Sequence, residues 1–445
     1  MQRTYIIFVL FCLCATIALA QNHQVDESKS YKKRVLEVAE LELLFSYYEQ
    51  DGSNAAVTGG VGTEALNDIT PTIVYTVPLS DDNVLSFEAG VSAYTSASSS
   101  NLNPFDGGSS PDPFAASSGA SQSDQLIRLN TTFSHSSDDR NRVWNMTLSL
   151  SNEYDYTSFG LSGGLTKIFN EGNTQLNLSG STFFDKWNPQ YPIELRAFAN
   201  GGSAGEEDED EGDEILFDLN KATITGNTDY NPIFSFFQNK SRNSYAVGMG
   251  ISQILSPRLQ VSFSADLMAQ QGLLSSPMQR VYFADREDSF VDGFQLADAI
   301  ELLPDSRFKI ALGNHTNYYV NERIVLKYYL RLYTDNWGVN SITTSLKVPI
   351  KLFDSFSIYP KYRYYTQSDA EYFSPFEENL STQKFYTSDF DLSKFQSHQY
   401  GVGFSYNPVF PFLSIKNIYL EYNHYSRRKS ELKADIISFG MKFSL

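Results

Sequence analysis

The sequence predicts an all-β fold: a single antiparallel transmembrane β-barrel of about 16 strands, with short periplasmic turns and long extracellular loops. Three observations carry this reading. Residues 434–445 alternate, with Ile437, Phe439, Met441, Phe443 and Leu445 on one face and Ser438, Gly440, Lys442 and Ser444 on the other. No later stretch approaches the roughly 18 consecutive apolar residues of a membrane helix. Long and short connections between the predicted strands also segregate by position in the chain, as described below.

The chain opens with Met1-Gln2-Arg3, an apolar run from Tyr5 to Ile17 and then Ala18-Leu19-Ala20, the layout of a cleaved signal peptide over residues 1–20. Cys12 and Cys14 both lie inside it, so residues 21–445 contain no cysteine and use neither disulfides nor thiolate metal sites. A periplasmic N-terminal segment is expected over residues 21–38, followed by the barrel over 39–445. Period-two alternation between turn residues marks strands at 39–50, 69–78, 84–95, 125–135, 142–154, 158–169, 174–187 and 243–254. Eight more follow at 259–270, 308–319, 323–334, 340–351, 356–367, 399–407, 416–426 and 434–445. Most suit a tilted membrane crossing of about 9–11 residues better than a soluble strand of about 5–6.

Five connections are long: 51–68, 96–124, 188–242, 271–307 and 368–398. All occupy odd positions in chain order, and every even connection is short, with turn chemistry such as Ser80-Asp81-Asp82-Asn83 or Glu171-Gly172-Asn173. A pair of exported β-sandwiches would alternate too, but would not sort its loops by parity. Segments such as Ile324-Leu326-Tyr328-Leu330-Leu332 fit a 180° repeat, which argues against amphipathic helices.

Composition agrees. The chain has 28 Tyr and 33 Phe against 3 Trp, and aromatic residues favour strands and membrane interfaces. A net charge of −18 argues against a nucleic-acid partner. Residues 96–124 are rich in Ser, Gly, Pro and Asn and read as a mobile loop. Residues 206–214 carry eight carboxylates in nine positions. Their plain reading is a solvated, self-repelling tip, and they lack the ligand spacing of an EF-hand.

If the apolar faces meet lipid, the alternate residues line the interior, and these are mostly polar. Strands eleven to thirteen present Lys327, Arg331, Lys347, Lys361 and Arg363 inward, while Glu40, Glu42, Glu88, Glu153, Asp185 and Asp266 come from strands one to nine, with Arg128 the exception on the acidic side. Two oppositely charged walls would set a transverse field across an aqueous lumen and orient dipolar solutes. The competing expectation is that these groups pair with one another or with loops. Gly248 and Gly250 face inward and leave room for a loop or for solvent. Closure would bring Lys442 to the wall of Glu40 and Glu42.

Catalytic patterns are sparse. Residues 21–445 hold five histidines, His23, His135, His315, His398 and His424, and none sits in H-E-x-x-H; G-x-S-x-G and CxxC are absent. His315 with Asn317 on an inward face is the one rim candidate, and a solvated histidine is its plain reading. The run Val57-Thr58-Gly59-Gly60-Val61-Gly62-Thr63 lacks the Lys and helix of a phosphate cradle and reads as a backbone-flexible loop.

Four stretches, Asp51 to Glu64, Tyr333-Thr334-Asp335-Asn336-Trp337-Gly338, Arg363-Tyr364-Tyr365-Thr366-Gln367, and Tyr386-Thr387-Ser388-Asp389 with Leu392-Ser393, together resemble the domain of unknown function 3570 family of Gram-negative envelope proteins. The resemblance covers nearly all of residues 21–445. It implies an outer-membrane barrel and a link to an envelope redox system with flavin-transferase and thioredoxin-like components. The Thr58-Gly59-Gly60 run departs from a covalent flavin-attachment motif at Ala55, where that motif has Asp, and at Val61, where it has a hydroxyl. No cofactor, metal or catalytic residue is therefore assigned. The function expected is a pore or envelope scaffold in outer-membrane lipid, serving a small polar solute or a periplasmic or surface partner protein. A rim enzyme and a surface interaction protein using the acidic loop are the alternatives.

Overall fold

In a computed structural model of the chain, residues 34–95, 123–196, 198, 223–408, 414–428 and 431–445 are described. The proposed signal peptide, His23 and the acidic run 206–214 lie outside them. Sixteen strands form one closed antiparallel barrel. In chain order they are β1 Glu40–Asp51, β2 Leu66–Pro78, β3 Asn83–Thr95, β4 Ser123–Ser136, β5 Arg142–Asn152, β6 Tyr156–Phe169, β7 Thr174–Trp187 and β8 Ser241–Ser256. They continue as β9 Leu259–Gly272, β10 Ser306–Asn321, β11 Ile324–Asp335, β12 Asn340–Lys347, β13 Phe356–Gln367, β14 Phe395–Tyr406, β15 Ile415–Arg428 and β16 Lys433–Ser444.

The polypeptide resumes the β12 register at Ile350–Lys351 after a break at Val348 and Pro349. Proline has no N–H to give to the ladder, so the break falls where the sequence places it.

Closure is direct. β1 pairs with β16 from Glu40 opposite Ser444 to Asp51 opposite Lys433, leaving no free sheet edge. Glu42 faces Lys442 in this seam, and Glu40 Oε2 lies 2.8 Å from Lys442 Nζ, while Lys416 reaches Glu40 Oε1 at 2.6 Å. At the short-turn end Arg34 pairs with Asp81 at 2.8 Å, tying the last part of the N-terminal segment to the β2–β3 turn.

Alternation decides which face meets what. Outward positions carry exposed apolar side chains all around the wall, among them Leu150, Leu178 (53 % exposed), Met249 (62 %), Phe263 (59 %), Leu312 and Ile342. In water such a belt would be an aggregation surface, whereas in lipid it is the solvent-facing side. Outward rings gather toward both rims, Trp144, Phe356 and Phe404 at the short-turn end and Phe184, Tyr245 and Phe308 at the loop end.

The conventional hydrophobic core is not in the wall. Most of the fully buried apolar side chains belong to the long connections: Tyr191, Leu195, Tyr282, Ala297 and Ile300 form one cluster, Val291, Phe294 and Leu296 a second, and Val281, Phe283, Ala299 and Tyr386 a third. The five long connections, 52–65, 96–122, 188–240, 273–305 and 368–394, all leave the same end of the barrel, and the seven at the other end have two to eight residues.

Candidate functional site: a lined lumen under a packed cap

Each sequence-predicted charge can be placed by register. Glu40 and Glu42 on β1, Glu88 on β3, Asp185 on β7 and Asp266 on β9 take the inward parity, as do Lys327 and Arg331 on β11, Lys347 on β12, and Lys361 and Arg363 on β13. Glu153 does not belong to the wall. β5 ends at Asn152, and Glu153 sits in the turn to β6, where its N–H donates to Tyr156 O at 2.8 Å. The alternation simply runs one residue past the last ladder pair.

The structure brings some of these groups together and leaves others apart. Glu421 on β15 accepts from Lys361 and lies 4.0 Å from Lys347, whose ammonium also sits 3.8 Å over the Tyr359 ring. Arg331 approaches Asp266 at 3.8 Å, with both side chains about half exposed. Asp185 is buried and bound by Arg242 at 2.9 Å, so it braces the wall instead of facing solvent. Sequence reading missed two partners here. Glu421 shares the parity of Asn417 and Asn423 within a predicted strand, so the alternation could have found it; Arg242 falls one residue before the predicted start of β8.

Three inward aromatic rings lie flat on the wall because glycine faces inward beside each: Tyr359 over Gly403, Tyr419 over Gly440 and Phe183 over Gly160. A Cβ at any of these glycines would run into the ring. Gly403→Val is therefore expected to drive Tyr359 off the wall and lower single-channel conductance; an unchanged conductance would contradict this placement. Around Gly164 and Gly248 the wall opens into a polar recess of about 430 Å³, lined by Asn145, Thr166, Asn177, Ser179, Asp266 and Arg331.

Above the lumen the long connections meet. The β1–β2 and β9–β10 connections lie eight strands apart, half of the circumference, on a barrel about 30 Å across by strand spacing and tilt. Yet Arg280, in 273–305, donates through Nη1 to Val57 O at 3.2 Å. Its Nε and Nη2 donate to Glu194 Oε1 and Oε2 at 2.6 and 3.0 Å, and both side chains of that pair are 0 % exposed. Three connections are thus pinned at one point across the mouth. Such a pair stands only because both ions keep each other's company away from water.

The family-like stretches explain themselves in this cap. Gly59, Gly60 and Gly62 have φ of +79°, +92° and +99°. A Cβ on Gly59 would meet the Tyr282 ring at 2.7 Å, and one on Gly60 would meet Ser388 O at 2.7 Å. The run expected to be flexible is instead packed against two other loops, and glycine is required by both the backbone and the contact. Asp335 closes the β11–β12 turn, accepting from the N–H groups of Trp337 and Val339 at 3.0 Å each and from Tyr333 Oη at 2.7 Å, while Arg307 stacks 4.3 Å over Trp337. Gln367 donates to Asp391 O at 2.9 Å and Ser393 O at 2.6 Å, and Arg427 holds the Asp391 carboxylate at 2.6 Å. Wall and cap are stitched together at β13 and β15.

A second polar centre lies between 273–305 and 368–394. Glu301 accepts from Ser276 N at 2.6 Å and from Thr387 Oγ1 at 2.5 Å. Burial, reinforced by the negative charge of Asp389, pushes its carboxyl up to about 8. Asp389 is raised as well, by burial and by Asp391 beside it. Asp298, which accepts from Phe283 N at 2.9 Å, is raised by burial to about 6.

His315 faces inward with its ring 4.5 Å from that of Tyr329. His424 binds Asp435 at 2.9 Å, but both residues have outward parity, away from the lumen. Among the described residues no group of three His, Cys, Asp or Glu side chains could hold a metal ion.

Residues 10–434 match the family described as "Protein of unknown function (DUF3570)". The chain belongs to that family. No curated protein matches the DUF3570 chain. Solved structures similar to this DUF3570 barrel include a bacterial polysaccharide outer membrane secretin, 9 % identical over 92 % of this chain and 98 % of that one, with a TM-score of 0.44. The outer membrane protein opdK from Pseudomonas aeruginosa is 8 % identical, over 92 % and 100 %, with a TM-score of 0.39. A deltaS2S3 mutant of the TodX monoaromatic hydrocarbon channel is 10 % identical, over 92 % and 91 %, with a TM-score of 0.39. Likenesses this distant say nothing about what this barrel carries.

Proposed function

We propose that this protein is an outer-membrane pore for a small polar solute, gated at its extracellular mouth by the packed loops. The observation that carries this reading is a closed wall whose inward face is hydrophilic and incompletely ion-paired, beneath loops pinned across the mouth by Arg280. A rigid scaffold has no use for open charges such as Lys327 and Arg363, which have no carboxylate within ion-pair distance among the described residues, and a polar interior is what an aqueous passage needs.

Planar-bilayer recording tests it. The purified protein is expected to give discrete conductance steps, and Arg331→Glu together with Lys361→Glu is expected to shift ion selectivity toward cations. Absence of steps both in the native protein and in a variant with the cap unpinned would leave a scaffold as the better reading. A thiol-based redox role would have to come through a partner, since residues 21–445 contain no cysteine; co-purification of a flavin- or thiol-bearing envelope protein tests such a link.

A further inference from the structure

Three lysines stand side by side on the inner wall. Lys327 on β11 is directly opposite Lys347 on β12, which is directly opposite Lys361 on β13. Opposed residues in a sheet have Cβ atoms about 5 Å apart, and like charges there work against the pairing. Toward the loop end, Arg363 stands opposite Ser345 and Arg331 opposite Thr343, completing a patch of five cations and two hydroxyls on three adjacent strands.

The chain supplies too few counter-charges for this patch. Glu421 serves both Lys361 and Lys347, and Asp266 sits loosely beside Arg331. Among the described residues, neither Lys327 nor Arg363 has a carboxylate within ion-pair distance. Several other inward cations have partners: Arg242 holds Asp185, Arg307 holds Asp335, and Lys416 and Lys442 share Glu40, while Arg128 on β4 and Lys309 on β10 are single cations, each apart from this row. The fold gains nothing from placing three like charges in one row of the ladder.

We infer that this patch is a binding site for a small oxyanion, a carboxylate or phosphate group on the solute, which supplies the missing counter-charge. The two guanidinium groups offer planar forks for bidentate contact, the lysines compact point charges, and Ser345 and Thr343 hydroxyl donors between them. Glu421 and Asp266 keep the positive excess moderate, so that a bound anion can also leave. The inference deepens the pore reading and rests on it for the anion being in transit.

The experiment uses the purified full chain in detergent micelles, titrated calorimetrically with inorganic phosphate and separately with acetate, and the same preparation in planar bilayers under a potassium chloride gradient. Saturable binding of at least one probe is expected, and the probe bound more tightly assigns phosphate or carboxylate. Lys327→Gln with Arg363→Gln should weaken binding roughly tenfold and reduce the anion-to-cation permeability ratio roughly fivefold. Binding that is absent, or that survives unchanged in the double variant, overturns the inference. Binding without conductance upholds the site and removes the pore reading; conductance with a cation preference that the double variant leaves unchanged does the reverse.

Discussion

Glu194→Gln is expected to unpin the cap while leaving the wall closed. The substitution takes the Glu194 carboxylate away from a fully buried Arg280, and breaking a buried pair in this way costs on the order of 3–5 kcal/mol. The β-ladders do not depend on that pair, so resistance of the barrel to unfolding in detergent should hardly change. Protease should instead cut within 273–305, and the open probability in bilayers should rise well above that of the native protein. The double variant Glu194→Leu with Arg280→Met supplies the decisive comparison, because an apolar replacement of both partners is often neutral or stabilising. It should restore protection. Equal protease resistance in all three proteins would show that the pin does not hold the cap.

Raising the pH is expected to loosen the same cap. Glu301 has an ordinary carboxyl value of 4.5 when released into water and about 8 in the closed cap. Below the lower value both states carry the proton, and between the two only the closed state does. Stability of the closed cap is therefore full below about 4.5 and lost progressively as pH rises from there to about 8, by up to about 5 kcal/mol. Asp389, also raised, acts in the same direction at lower pH. Open probability should climb between about pH 4.5 and about pH 8, and Glu301→Gln should flatten the upper part of that rise. A flat profile in the native protein, or a profile that Glu301→Gln leaves intact, would rule out this residue as the titrating group.

Much of the wall was readable because its code is local. Alternation at period two sets the face of each residue without reference to any distant partner, so the sixteen segments and the parity of their connections could be found from neighbours alone. The misses follow the same logic. β14 begins at Phe395, four residues before its predicted start, because Gln396 and His398 place polar groups where the pattern looks for apolar ones. Glu153 was placed in the wall by a rhythm that outlasts its ladder.

The cap has no such rhythm. Its core comes from Tyr191, Tyr282, Val281 and Tyr386, drawn from three connections with little regular structure, and nothing in a window of fifteen residues ties Val57 to Arg280. Among the candidate residues, the inward charges were found by parity, but which are neutralised depends on cross-strand register, which only the folded ladder fixes.

Arg280 lies 86 residues from Glu194 and 223 from Val57. Loop-closure entropy sets the cost of joining such remote segments, and zipping the cylinder shut is what brings them near. On the proposed pore reading the lid is expected to assemble last, so that a newly inserted molecule would pass through a stage at which it is an unguarded hole. How quickly that hole is covered, more than how firmly it is held afterwards, would then set how leaky a cell producing this protein is.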